Sequence, residues 1–186
     1  GIDLSREQFY RDLPGYSEHP STAVPSPQKF KAIYDVLAEE GAEDVISIHI
    51  SRSLSGVVDV AQVAARETTS TRVTVLDSHQ LSLGTGFLVE AAARLASAGA
   101  ALHDILAALQ DQVKRTHTVA SLNTLEFLRR SGRMNAAMST IGELLQIKPL
   151  LKMYDGKPEA ERIRTRKKAL QRLVDLIRTH APYEKA

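Results

Sequence analysis

The sequence of 186 residues contains no cysteine, and that absence removes two kinds of site. A chain without thiols cannot form a disulfide and cannot offer a thiolate to a metal ion. The six histidines are scattered without the paired spacing of metal ligands, so we expect neither a metal nor another cofactor. A chain without cysteine also suits a reducing compartment, and we predict a cytoplasmic protein.

A strong net charge and long apolar runs are lacking as well. Lysine and arginine number 24 and aspartate and glutamate 22, which leaves a net charge of +2. Nucleic-acid-binding proteins usually carry a stronger basic bias, and no run approaches the roughly 18 apolar residues of a membrane span. We therefore expect no nucleic-acid partner and no stable membrane insertion. Residues 1–5 lack the regions of a secretory signal, and without an initiator Met we expect both ends to be cuts in a longer protein.

Short β-branched runs alternate with helical periods along the first two thirds of the chain. Strand-like runs occupy residues 45–50, 73–77 and 118–122, and apolar stripes with helical spacing occupy residues 30–37, 87–95 and 102–113. Ser26 is a candidate cap for the first stripe, and Pro27 suits its first helical position. This alternation predicts an α/β fold with a mostly parallel sheet and flanking helices.

The composition changes after about residue 114 and predicts a smaller α+β part. We expect short helices at 124–130 and 136–145, strands at 148–153 and 158–164, and a final helix at 166–178. The Asp-Gly pair at 155–156 predicts an antiparallel hairpin. We therefore place one domain at residues 1–115 and a second at 116–186.

Two polar turns are candidate binding segments. Residues 51–56 (Ser-Arg-Ser-Leu-Ser-Gly) lead from the first strand into a helix, where free N–H groups suit an anion. Ser55 adds a hydroxyl there, and Gly56 lets the backbone approach closely. Residues 20–26 form a turn stiffened by two prolines, which suits a hydroxyl held in place for a ligand. The alternatives are that Ser51 or Ser53 only caps the helix and that the second turn is a plain capping loop.

Two further segments contain residue types that are typical of enzyme sites, but their spacing does not favour such a function. Residues 77–79 (Asp-Ser-His) are adjacent and cannot converge on one reacting atom, so we favour a strand-end Asp followed by a helix-capping Ser. Residues 84–86 (Gly-Thr-Gly) lie inside a predicted helix, where close packing explains them better than a dinucleotide site.

Basic residues cluster at two places. One cluster ends a helix at 128–134 and contains Arg133. The other comprises Arg162, Arg164, Arg166, Lys167 and Lys168, with the first two predicted on one face of a strand. Arginines bind phosphates or carboxylates in bidentate fashion. The alternative is a solvated surface.

Five stretches, taken in order, resemble the DegV family, bacterial lipid-binding proteins that include the fatty-acid-carrying subunits of fatty acid kinase. Thr22 with Pro25-Ser26 resembles a Thr-Ser-Gln-Pro-Ser turn, and residues 48–56 resemble a strand followed by Leu-Ser-Gly. Residues 75–78 with 84–89 are similar to its Asp-Ser and Gly-x-Gly segment, and residues 124–133 to its Leu-x-Tyr-Leu and Gly-Gly-Arg segment. The last stretch comprises residues 147–151, 156–157 and 164–170.

The resemblance implies a DegV-like fold that binds a long-chain fatty acid such as palmitate. It implies that the hydroxyls of Thr22 and Ser55 hold the carboxylate while the acyl chain lies in a cavity between the two domains. It further implies that Arg133, Arg164 and Arg166 face the phosphate or a partner kinase, which supplies ATP and the chemistry. The chain itself is then predicted not to be an enzyme.

The chain also departs from the family pattern. Residues 23–24 are Ala-Val instead of Ser-Gln, residues 57–58 are Val-Val instead of Thr-Tyr, and Ser131 replaces a glycine. The opening Asp-Ser-Thr strand and the closing Gly-Thr-His segment, whose His helps to hold the carboxylate in relatives, are absent. We therefore expect the first domain to lack its first strand, the second its C-terminal part, and the fragment to self-associate through exposed apolar surface.

Two other functions stay open. A small-molecule kinase or hydrolase on a related α/β fold needs an ATP site, which no Walker sequence supplies. A nucleic-acid regulator would use the second basic cluster, but the low net charge of the chain argues against this function.

Overall fold

A computed structural model describes residues 3–133 and 148–183, which contain a parallel pair of strands followed by a three-stranded antiparallel sheet. The strands are β1 (Asp44–His49), β2 (Arg72–Asp77), β3 (Thr118–Ser121), β4 (Leu150–Tyr154) and β5 (Lys157–Glu161). The helices are α1 (Arg6–Asp12), the 3-10 turn Leu13–Gly15, α2 (Pro27–Glu39), α3 (Val57–Glu67), α4 (Ser82–Ser97), α5 (Leu102–Arg115), α6 (Glu126–Arg130) and α7 (Arg166–His180). None of the described helices is long and apolar enough to cross a membrane.

The first part is a β–α–β unit in which α3 connects two parallel strands. β1 and β2 pair from Asp44 opposite Arg72 to His49 opposite Asp77, so their carboxyl ends lie at one edge. The helix pairs α2–α3 and α4–α5 pack together. The core consists of Leu88, Ala91, Ala92, Ile105, Leu109 and Val113, with Ile46, Ile48 and Leu76 from the strands packed against it.

The second part is an antiparallel sheet in the order β3-β4-β5, with α7 packed against β3. Asp155 and Gly156 connect β4 to β5 with φ angles of +46° and +72°, as a two-residue hairpin turn with both residues in the left-handed region requires. Leu150, Ile163 and Ala169 form its core. The hairpin predicted from the Asp-Gly pair is confirmed.

The predicted fold class is confirmed: an α/β part with a parallel sheet and flanking helices precedes an α+β part. The third predicted strand, β3, pairs antiparallel with β4, so the parallel sheet has two strands among the described residues. Ser26 precedes α2 in an extended conformation but makes no side-chain cap bond. The domain division at 115/116 stays a prediction, and the helix predicted at 136–145 lies outside the described residues.

The prediction that Arg162 and Arg164 lie on a strand is wrong, because β5 ends at Glu161. The last pair in the register of β4 and β5 is Leu150 opposite Glu161. A single backbone bond continues beyond it, from Lys148 N to the carbonyl of Ile163 at 2.7 Å. Both arginines are exposed.

The two parts meet closely beside α4. A Cβ on Gly84 would lie 2.5 Å from Thr118 Oγ1 and 3.1 Å from the Gln80 side chain. The buried Gln80 amide donates to the carbonyl of Thr116 at 2.7 Å. The packing role predicted for the Gly-Thr-Gly segment is therefore confirmed at Gly84, whereas a Cβ on Gly86 would meet nothing within 4 Å.

Candidate ligand-binding site

A cavity of about 310 Å³ opens at the carboxyl end of β1, between the turn before α2 and the loop that leads into α3. Its polar lining consists of Thr22, His49, Ser55, Thr85 and Arg133. Its apolar lining consists of Ala23, Val24, Pro25, Ile48, Ile50 and Val57. Polar groups converging within an apolar wall are typical of small-molecule sites, whose volumes begin at about 300 Å³.

Arg133 connects the two polar turns at this cavity. Its Nε donates to the carbonyl of Leu54 at 3.0 Å, and its Nη2 donates to Thr22 Oγ1 at 3.4 Å. No carboxylate pairs with its guanidinium among the described residues. Arg133 therefore adds an uncompensated positive charge to the cavity.

Ser55 stands just before the N-terminus of α3, with Gly56 as the N-cap residue. The Ser55 hydroxyl oxygen accepts the N–H of Val57 at 3.3 Å. The first turn of a helix leaves N–H groups without helical acceptors and carries the positive end of the helix dipole. The Ser55 side of the cavity is thus favourable to an anion.

The alternative that Ser51 or Ser53 caps this helix is wrong. The Ser51 side chain is buried, and its oxygen lies 2.9 Å from the Ser53 hydroxyl. The Ser51 hydroxyl also reaches the carbonyl of Gly156, at 3.4 Å, on the β4–β5 turn. These two serines fix the loop, while Ser55 faces the cavity.

His49, the last residue of β1, lines the cavity at the end of a line of hydroxyl groups. Its Nε2 lies 2.7 Å from Ser47 Oγ, which lies 2.8 Å from the phenol oxygen of the buried Tyr34. The ring also packs edge-on against Phe30, with centroids 5.5 Å apart. Burial lowers the pKa of His49 below its usual value, which favours the neutral ring.

The exit of β2, the loop that follows this strand, lies beside that of β1, but the side chains of Asp77 and Ser78 are already hydrogen-bonded there. The Ser78 hydroxyl lies 2.9 Å from Thr85 Oγ1 and accepts the Gln80 N–H at 3.1 Å. Asp77 accepts the N–H groups of His79 and Arg52. Ser78 makes no bond to His79 and does not cap α4, whose N-cap residue is Leu81. Residues 77–79 therefore form no catalytic triad, and the capping role predicted for Ser78 is wrong.

The structure thus brings together three of the predicted site residues, Thr22, Ser55 and Arg133, with Gly56 next to them. Arg133, which the resemblance places towards the phosphate or a partner kinase, is part of the cavity lining. Arg164 and Arg166 are not in the lining, and Arg166 instead borders a groove along α7.

Sequence reasoning missed Thr85 and the cavity role of His49. The alternation of His49 with Ile48 and Ile50 indicates a position on a face of the sheet, and His49 is the last residue of β1. The available signal was its position immediately before the 51–56 loop, because residues at a strand's carboxyl end lie near the ligand site of a parallel sheet.

Comparison with protein families gives a match over residues 1–186 to the family described as "Uncharacterised protein, DegV family". A DegV domain-containing protein from Deinococcus radiodurans is 39% identical over 181 residues, covering 97% of this chain and 64% of the relative.

Two solved structures share the fold at appreciable identity. One, reported as fatty acid binding of a DegV family protein from Thermus thermophilus, is 38% identical with a TM-score of 0.83 and covers 95% of this chain and 63% of that one. The other, DegV, a fatty acid binding protein from Bacillus subtilis, is 32% identical with a TM-score of 0.85 and covers 96% and 64%. The chain therefore spans a little under two thirds of the length of these relatives.

Proposed function

Because this chain belongs to the DegV family, we propose that it binds a long-chain fatty acid such as palmitate and presents it to a partner kinase. In this proposal the carboxylate lies among Thr22, Ser55 and Arg133, and the acyl chain extends along the apolar wall between the two parts. The fatty-acid-binding relatives from Thermus thermophilus and Bacillus subtilis support the ligand class.

One observation carries the assignment of the head-group site: two hydroxyl oxygens in the same cavity each already accept an N–H. Thr22 Oγ1 accepts from Arg133, and Ser55 Oγ accepts from Val57. A hydroxyl has one proton to donate, and accepting elsewhere leaves that proton available for a ligand oxygen. Two such donors beside an unpaired guanidinium and a helix N-terminus match a carboxylate, which is an acceptor only.

The apolar lining supports an acyl tail next to that head group. Val24 and Ile50 are 39% and 37% exposed although both line the cavity, so apolar surface is available for a ligand to cover. Burying about 15 methylenes at about 0.8 kcal/mol each favours binding by on the order of 12 kcal/mol. Association and ordering oppose this by about 4–15 kcal/mol, so the head-group bonds must contribute to the affinity.

In this proposal the chain itself is a carrier and the kinase supplies ATP. The exposed Arg164 and Arg166, which lie outside the cavity, are our candidates for contacting the phosphate donor or the kinase. A cytoplasmic location and the bacterial origin implied by the resemblance stay predictions. ADP released from ATP and palmitate by the chain alone would contradict the carrier assignment and favour the kinase alternative.

Mass spectrometry of lipid extracted from protein purified under native conditions tests the ligand class. We expect a long-chain fatty acid in wild-type protein and less of it in the Thr22→Ala and Ser55→Ala variants. Protein without fatty acid, together with unchanged palmitate uptake in both variants, would overturn the proposal.

A further inference from the structure

The hydrogen bonds of His49, which lines the cavity, form a line that leads away from it to Ser47 and then to the phenol of Tyr34. The ring is also fixed by its edge-on contact with Phe30. A ring held by a hydrogen bond and an aromatic contact presents its remaining ring nitrogen, Nδ1, in a defined direction.

The line of hydroxyls points to the ring nitrogen that carries the proton. Ser47 is the only hydrogen-bond partner of the Tyr34 hydroxyl among the described residues, so the phenol proton is satisfied there only if the phenol is the donor to Ser47. Ser47 then donates its own proton to Nε2 of His49. Because a neutral imidazole carries one N–H, the proton of His49 lies on Nδ1.

Nδ1 is free to bind a ligand. It has no hydrogen-bond partner in the described part of the chain, and it is not among the polar atoms that are buried without a partner. It therefore keeps access to solvent on a ring that lines the cavity. An N–H in this position is a third neutral donor beside the two hydroxyls.

We infer that His49 is a head-group residue whose Nδ1–H donates to an oxygen of the bound carboxylate, and that Tyr34 and Ser47 are positioning residues that hold it in this tautomer. The inference rests on the proposed function, because it concerns the same ligand. Its chemical consequence is a site that recognises the carboxylate with neutral donors on the β1 side and a single cation, Arg133, on the other.

The tautomer is tested first, without ligand. Long-range proton–nitrogen NMR of the 186-residue chain distinguishes an imidazole protonated at Nδ1 from one protonated at Nε2. We expect the Nδ1–H form of His49 at neutral pH, and a mixture of both forms in Tyr34→Phe, in which Ser47 is free to turn. An Nε2–H ring in the wild type would overturn the inference.

The ligand contact is tested by the affinities of palmitate and methyl palmitate, which share the tail but differ in head-group charge. We expect His49→Leu to weaken palmitate binding about five- to 150-fold, as for the loss of one hydrogen bond to a charged acceptor. The binding of methyl palmitate should change by less than about twofold, because bonds to charged acceptors are the stronger ones. His49→Asn, whose amide N–H replaces Nδ1–H, should restore most of the palmitate affinity.

Thr22→Ala and Ser55→Ala separate this inference from the proposed function. If these two variants weaken palmitate binding while His49→Leu does not, His49 is not a head-group residue, but the proposed carboxylate site at Thr22 and Ser55 is supported. If His49→Leu weakens both lipids equally, the ring only shapes the cavity, and the inference is also overturned. If none of the variants changes palmitate binding, the proposed head-group site itself fails.

Discussion

The exits of β1 and β2 occupy equivalent places in the fold but serve different purposes. Both strands end at one edge of the parallel pair, and both run into a turn rich in hydroxyl groups. At the β1 exit, Ser55 has a proton to donate and lines a cavity. At the β2 exit, Ser78 is fully buried and bonded to Thr85 and to the Gln80 N–H.

The difference between the two exits shows that a hydroxyl group at the end of a parallel strand is not enough to identify a binding site. What distinguishes the β1 exit is that the Ser55 hydroxyl lines a cavity and that its proton has no acceptor among the described residues. The β2 exit uses its polar groups to join the two parts, since the Gln80 amide reaches Thr116 and Gly84 lies against Thr118. Substitutions at the β1 exit should therefore change ligand affinity, whereas substitutions at the β2 exit should change the free energy of unfolding.

The largest expected effect on stability is at Gly84. We expect Gly84→Ala to lower the free energy of unfolding by about 1–3 kcal/mol, because its Cβ would lie within 2.5 Å of Thr118 Oγ1. Gly86→Ala in the same helix is the matched control and should raise stability by up to about 1 kcal/mol through helix propensity. Urea unfolding measures both, and equal effects would show that the two parts are not packed as described.

The next effect contrasts one serine from each exit. Ser78→Ala should lower the free energy of unfolding by about 1–2 kcal/mol, because the Gln80 N–H and the Thr85 hydroxyl lose their shared partner. Ser55→Ala removes a group that faces the cavity, and its effect on stability should stay within about 0.5 kcal/mol. Thermal or urea unfolding of the two variants compares them directly. A larger loss for Ser55→Ala would reverse the roles of the exits.

The smallest effect is a pH dependence involving one histidine from each part. Burial lowers the pKa of both His49 and His117, and the charge of His180 lowers that of His117 further. The unfolded chain therefore takes up these protons first as the pH falls below about 6.5. The stability contributed by the neutral rings is complete above that pH and is lost as the pH falls from it towards the folded-state pKa.

Urea unfolding at about pH 7.5 and about pH 5.5, on either side of the unfolded pKa, measures this loss. We expect a smaller loss in His49→Gln and in His117→Gln than in the wild type, because each variant removes one of the two groups. An undiminished loss in both variants would mean that other groups cause the pH dependence.

Much of the fold follows from local patterns in the sequence. The alternation at 45–50 predicts β1 because it fits a pleated strand, and the Asp-Gly pair predicts the hairpin because both residues tolerate positive φ. The predicted strand 158–164 extends beyond the end of β5 at Glu161. Alternation within one strand gives no information about where its pairing with a neighbouring strand ends.

The ligand-binding site is harder to predict from the sequence than the fold, because it depends on contacts between segments that are far apart in the chain. That Thr22 lines the same cavity as Ser55 was implied by the family resemblance and not by spacing. Arg133 reaches Thr22 across 111 positions of sequence, and no local pattern specifies such a contact. The alternation at β1 likewise places His49 on a face of the sheet without saying that a cavity covers it.

The most direct test compares the palmitate affinity of Ser55→Ala with that of Ser53→Ala. The two variants delete the same hydroxyl two positions apart in one loop, but only Ser55 lines the cavity. We predict that Ser55→Ala loses about 1–3 kcal/mol of binding free energy and that Ser53→Ala binds palmitate as the wild type does. Equal affinities in the two variants would contradict the claim that the unused donors at the β1 exit hold the ligand's carboxylate.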